Sequence, residues 1–196
     1  MPDLSIGVLA VQGGFAAHSR ILRELGARVR EVRLPADLDG LDGLVIPGGE
    51  STTIVKGIES AGLEDAISAH HEAGRAVFGT CAGMIVCDED HLGLLDVTAK
   101  RNAFGRQLQS FETDLEIDGI GDEPLRGVFI RAPRVERRGP EVEVLASYEG
   151  HPVAVREGNV LACAFHPELT DDSRLHALFM AMTTAARERA HEEAET

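Results

Sequence analysis

The chain has 196 residues, 43% of them hydrophobic, with 19 basic against 33 acidic side chains and a formal charge of −14. That length suits one large domain with a substantial core, and the charge argues against nucleic acid as a partner, since binding there depends on neutralising phosphates. No apolar run approaches the roughly 20 residues that span a bilayer, so no membrane partner is expected.

Three cysteines, Cys81, Cys87 and Cys163, are too few and too scattered for a disulfide framework or a zinc site, and no metal is expected. The start, Met1-Pro2-Asp3-Leu4-Ser5, lacks the basic region of a secretory signal, which points to the reducing cytoplasm. Lys56 and Lys100 are the only lysines. An acidic, lysine-poor surface suits strong salt, although a genome favouring arginine leaves the same bias. In the first case stability rises with ionic strength, because salt screens repulsion between acids.

Leu4 to Val11 is a nearly continuous apolar run, the pattern of a strand buried on both faces, and it ends in Gln12-Gly13-Gly14. Phe15, Ile21, Leu22 and Leu25 recur at helical spacing before Gly26, a helix-ending glycine. Arg28–Val32 reads as a second strand and Gly43–Ile46 as a third, stopped by Pro47-Gly48-Gly49. Helices are expected over Thr52–Ser60 and Leu63–Ala73, then a fourth strand over Ala76–Gly79. This alternation is the mark of an α/β fold with a doubly wound, mostly parallel open sheet and helices on both faces.

The second half changes character. Thr113–Ile117, Gly127–Ile130, Val142–Ser147, Pro152–Val155 and Val160–Phe165 read as shorter strands, an added antiparallel portion, with Tyr148-Glu149-Gly150-His151 as a hairpin connection. Thr170-Asp171-Asp172 leads a final amphipathic helix to about Arg189. One domain over residues 1–190 is expected, followed by a frayed acidic tail at 191–196.

Two stretches carry chemistry. Gly79-Thr80-Cys81-Ala82-Gly83 has the form of a sharp strand-to-helix turn that lifts a nucleophile clear of a parallel sheet. Cys81 then sits at the start of the next helix, where the helix dipole favours a thiolate. The amide of Ala82 and a glycine amide from the Gly48-Gly49 turn, that of Gly48, are candidate oxyanion donors. His166-Pro167-Glu168 follows an apolar strand and supplies a base and a carboxylate. Pro167 is expected to keep that segment extended, so that His166 and Glu168 project to one side. His70-His71-Glu72 does not match metal-ligand spacing and reads as a solvated helix face, and Cys163 reads as core.

These residues resemble the class I, triad-type glutamine amidotransferases, and within them the glutaminase subunits of pyridoxal 5'-phosphate synthase. The resemblance rests on Ile6–Gly13, Ile46–Thr53, the elbow at Cys81, Arg101–Gln107, Phe129–Pro133 and Phe165–Thr170. It implies a flavodoxin-like fold and a glutaminase without cofactor, in which Cys81, His166 and Glu168 form the triad. It also implies that Gly49, Glu50, Ser51, Arg101, Ile130 and Arg131 hold L-glutamine. The implied partner is the barrel-shaped synthase subunit, which consumes the ammonia. Two alternatives stay open: a class I amidotransferase serving another synthase, and a non-enzymatic regulatory subunit. The chain departs from the family in one place. Family members carry a longer segment between the nucleophile and Arg101, whereas here Ala82–Cys87 runs directly into Asp88-Glu89-Asp90-His91, so a helix of about two turns or a rebuilt loop is expected.

Overall fold

A computed structural model describes residues 3–101 and 110–194. Five parallel strands form most of a seven-stranded sheet: β1 (Ser5–Leu9), β2 (Arg28–Val32), β3 (Gly43–Ile46), β4 (Ala76–Thr80) and β11 (Val160–Cys163). With β9 (Glu143–Tyr148) and β10 (His151–Glu157) added antiparallel, the order is β2-β1-β3-β4-β11-β10-β9. Helices α1 (Phe15–Glu24), α2 (Ser51–Ala61), α3 (Glu64–Glu72), α4 (Ala82–Cys87) and α5 (Arg174–Ala194) cover both faces. The central strands β3, β4 and β11 are buried at every position, which is why they read as unbroken apolar runs.

The strands expected in the first half appear within two residues of their predicted bounds. The turn Tyr148–His151 joins β9 to β10 with positive φ at Glu149 (49°) and Gly150 (79°), the backbone a tight hairpin demands. Two small sheets stand apart from the main one: β5 (Val97–Lys100) with β8 (Arg134–Arg138), and β6 (Ser110–Leu115) with β7 (Leu125–Ile130). β5 and β8 escaped prediction because Arg-Val-Glu-Arg-Arg shows one buried side chain among charged neighbours, and periodicity has little to grip.

Three other expectations are corrected. α5 runs through Ala194, so residues 191–194 are helical rather than frayed: Ala and Glu sustain a helix that is already nucleated. Pro167 opens a 3-10 turn over Pro167–Leu169 instead of prolonging an extended segment, its fixed φ and missing N–H suiting a first helical position. His70 is buried rather than solvated, and burial lowers its pKa to about 4. After the short helix α4, the buried carboxylate of Asp88 organises the loop, accepting bonds from the Asp90 N–H, His91 Nδ1 and the Ala99 N–H.

β4 and β11 are what position the site. They pair in parallel with Cys163 opposite Thr80, and the Cys81 N–H donates to the Cys163 carbonyl at 2.8 Å. Residues just beyond both strand ends therefore emerge side by side at the carboxyl edge of the sheet.

Candidate active site

Cys81 adopts φ 49° and ψ −110°, a strained conformation for a residue with a side chain. The turn closes this tightly because its glycines let backbones touch. A Cβ on Gly79 would lie 2.6 Å from the Gly83 carbonyl oxygen, and one on Gly83 would run into the carbonyl oxygen of Ile46. At the start of α4 the amide of Ala82 has no partner within the helix.

His166 follows β11, its N–H donating to the Val128 carbonyl at 2.8 Å. Ring Nδ1 meets Glu168 Oε1 at 2.7 Å, which leaves Nε2 as the ring nitrogen for the interaction with Cys81. Burial alone would lower the pKa of His166. The interactions with Cys81 and Glu168 outweigh it and carry it up to about 10, so the ring holds a proton at neutral pH. Burial likewise disfavours charge on Glu168, but the bond from His166 and the neighbouring His18 and His166 hold its carboxyl below the ordinary value. Cysteine, histidine and carboxylate thus stand in line, the arrangement for nucleophilic acyl transfer.

The triad opens into a pocket of about 360 Å³. Its walls include Cys81, Ala82 and His166 together with Gly49, Glu50, Ser51, Arg101, Ile130 and Arg131, so the structure gathers every predicted substrate residue around the nucleophile. Gln12, Ile85 and Pro133 join them. The Ile130 carbonyl lies 3.9 Å from Cys81 Sγ, and Arg131 takes φ 45°, a second strained residue on the pocket wall. Arg101 Nη1 lies 3.6 Å from Glu50 Oε1. The rest of the predicted Arg101–Gln107 stretch lies outside the described residues.

One assignment changes, and Glu50 has a second task. Glu50 lines the pocket, yet its carboxylate turns back to cap α2, accepting the Thr53 hydroxyl at 2.7 Å and the Thr53 and Thr52 amides at 2.8 and 3.1 Å. The Thr53 and Thr52 bonds hold its pKa down at about 2. Gly48 does not offer an oxyanion donor: its N–H donates to Thr80 Oγ1 at 3.1 Å, and its carbonyl accepts the Gly14 N–H. An amide already bonded to a buried hydroxyl has no hydrogen left for the pocket.

Cys87 and Cys163 are buried free thiols, and burial pushes Cys87 up to about 12 and Cys163 well above its ordinary value, leaving both inert as nucleophiles. Sequence reasoning missed His18, Thr80 and His176, which are buried behind Glu168. The one available sign was spacing: His18 falls four residues before Leu22 and His176 three before Phe179, on the apolar faces of their helices.

The doubly wound sheet, the elbow at the end of β4 and the pocket at its carboxyl edge make this a class I glutamine amidotransferase fold. The chain is similar to a solved crystal structure of a glutamine amidotransferase with a TM-score of 0.87 and 48% identity, covering 91% of this chain and 98% of that one. It belongs to the SNO glutamine amidotransferase family, which it matches over residues 8–185. Among curated relatives, it is 51% identical to the pyridoxal 5'-phosphate synthase subunit PdxT of Niallia circulans, over 94% of this chain and all of that one. It is 50% identical to the PdxT subunit of Deinococcus radiodurans, over 96% of this chain and all of the relative.

Proposed function

We propose that this protein is the glutaminase subunit of a pyridoxal 5'-phosphate synthase. It hydrolyses L-glutamine to L-glutamate and ammonia, and passes the ammonia to a barrel-shaped synthase subunit in the cytoplasm. The observation that carries this reading is that Cys81 and His166 share the wall of one pocket while Glu168 bonds His166 from behind, in a chain about half identical to named PdxT subunits. Among the described residues no helix is long and apolar enough to cross a membrane.

In this mechanism the Cys81 sulfur attacks the side-chain carbonyl of glutamine, its proton already resident on His166. The Ala82 amide stabilises the oxyanion, a contribution of roughly 3 kcal/mol for such a donor. His166 returns its proton to the departing amide nitrogen, ammonia leaves, and a glutamyl thioester remains. Water then attacks the thioester, His166 takes a proton from it, and glutamate departs as the sulfur is released. Glu168 orients the ring and balances its charge throughout. Every proton and electron pair in this cycle comes from the chain, glutamine or water, so the cycle calls for no cofactor. Arg101 and Arg131 suit the carboxylate of glutamine, and Glu50, anionic over the whole working range, suits its ammonium. Residues 1–190 act as a single amidotransferase domain in this reading.

The test uses glutamine labelled with nitrogen-15 in its amide. The chain with its synthase is expected to release labelled ammonia and to place the label in the synthase product. A complex that leaves glutamine intact contradicts the proposal and favours a purely regulatory subunit.

A further inference from the structure

Glu168 has two oxygens, and the triad uses one. Behind the other lies a cluster of His18 from α1, Thr80 at the end of β4 and His176 from α5, each fully buried. His18 Nδ1 lies 2.9 Å from His176 Nε2. His18 Nε2 lies 3.1 Å from Thr80 Oγ1 and 3.4 Å from Glu168 Oε2. The same Thr80 oxygen accepts the Gly48 N–H at 3.1 Å. Phe78 meets both imidazoles edge-on, at 6.4 and 5.7 Å between ring centres, and closes the cluster against the core.

Two protonation patterns fit these distances. In one, His176 Nε2–H donates to His18 Nδ1, and His18 Nε2–H faces Thr80 and Glu168. In the other, both directions reverse. Two observations select the first. Glu168 Oε2 is buried and has no hydrogen-bond partner among the described residues, and His18 Nε2 is 3.4 Å away, so a proton on that nitrogen is what the oxygen needs, and a facing lone pair would repel it. His176 Nδ1 is also buried without a partner, and an orphaned lone pair is tolerated more readily than an orphaned N–H. Burial keeps both rings neutral, lowering His18 to about 4 and His176 to about 3. The 3.4 Å contact is therefore a neutral donor against a carboxylate, not an ion pair. The titratable groups facing His18 are Glu168, His166 and His176.

We propose that His18 is a positioning residue for the glutaminase reaction, a neutral Nε2–H donor that ties Glu168 Oε2 to the Thr80 hydroxyl. Through Glu168 it holds the carboxylate that orients His166, and through Thr80 it holds the turn that carries Gly48. A neutral donor suits this place because it supports the negative charge of Glu168 without competing with His166 for the role of counter-charge. The inference rests on reading the chain as a glutaminase only for its kinetic consequence; the tautomer and its effect on the Cys81–His166 pair stand apart from the substrate.

Nitrogen-15 histidine spectra of the wild-type chain, with His18 assigned by its disappearance in His18→Gln, read the tautomer in an intact protein. A neutral Nε2–H ring from about pH 5.5 to about pH 9 is expected. A Nδ1–H ring, or one that titrates near its ordinary value of about 6.5, overturns the proposal. A second readout is the rate of Cys81 alkylation by iodoacetamide against pH, which needs neither glutamine nor a partner. His18→Leu is expected to move its acid limb up by about one pH unit, as Glu168 loses a donor to its charged form. In the synthase complex the same variant is expected to lower kcat about tenfold with KM within about twofold, and His18→Gln, which keeps a donor near the Nε2 position, to recover most of both effects. An unmoved alkylation profile in folded His18→Leu, or equal losses in the Leu and Gln variants, overturns the proposal. Loss of glutamine hydrolysis in the wild-type complex would instead sink the glutaminase reading and leave these two readouts standing.

Discussion

His166 and His18 stand on opposite oxygens of one carboxylate, and their protons behave in opposite ways. His166, on the pocket side, is carried up to about 10, whereas His18, on the core side, is pressed down to about 4. Burial pushes both downward. His166 escapes because it interacts with both Cys81 and Glu168, while His18 meets a neutral imidazole, a hydroxyl and only a long contact to Glu168. Bond geometry decides which of the two histidines is charged. The comparison shows how the fold makes a reactive imidazolium and an inert imidazole from the same residue type a few ångströms apart.

The harshest way to break that contrast is Cys81→Ala. It removes both the nucleophile and one of the two groups that charge His166. Glutamine hydrolysis is expected to fall by roughly a thousandfold or more, measured as ammonia release, and His166 is expected to titrate lower in a histidine spectrum. Glu168→Gln removes the shared anion and should lower His166 toward His18, with Cys81 left as the group that still raises it. Its kcat is expected to drop between about a hundredfold and about ten-thousandfold while the fold persists.

Changing pH probes the contrast without mutation. His18 falls from 6.5 unfolded to about 4 folded, so its stabilising contribution is whole above pH 6.5 and is lost as pH falls through about 4. That loss amounts to about 3 kcal/mol at pH 4. His70 and His176 act in the same direction. His166, raised to about 10, contributes stability that is whole below pH 6.5 and is lost as pH rises through about 10. The melting temperature is therefore expected to peak near pH 6.5, with an acid fall set by the core histidines and an alkaline fall that begins above pH 6.5 and is complete past about pH 10. A flat profile from pH 4 to 7 would contradict the buried neutral histidines. The smallest effect is expected from Glu50→Ala, which removes the cap of α2 outside the histidine pair. A melting temperature lower by a few degrees and a raised KM for glutamine are expected, with both histidine titrations left in place.

Much of this was legible in the residues. Continuous apolar runs marked the parallel strands because burial on both faces leaves no polar position to interrupt them, and the glycines beside Cys81 marked the elbow because no larger residue fits. The charged strand β8 and the helical end of α5 were not legible, since their structure depends on what lies beside them rather than on their own periodicity. The pairing of His166 with Glu168 was readable from two positions with one residue between them, though through a 3-10 turn and not an extended strand. The core cluster was not readable: His18, Thr80 and His176 come from three distant segments, and each alone looks like an ordinary buried residue. Nor did the glycine turn announce that the amide of Gly48 is spent on Thr80.

The central claim is that glutamine is opened as a thioester on Cys81. Acid-quenching the complex during turnover and mapping its peptides by mass spectrometry tests it directly. The peptide bearing Cys81 is expected to gain one glutamyl group, glutamine less ammonia, in the presence of L-glutamine, and His166→Ala is expected to abolish the gain. Turnover with no adduct on Cys81, or an adduct on Cys87 or Cys163 instead, would contradict the account.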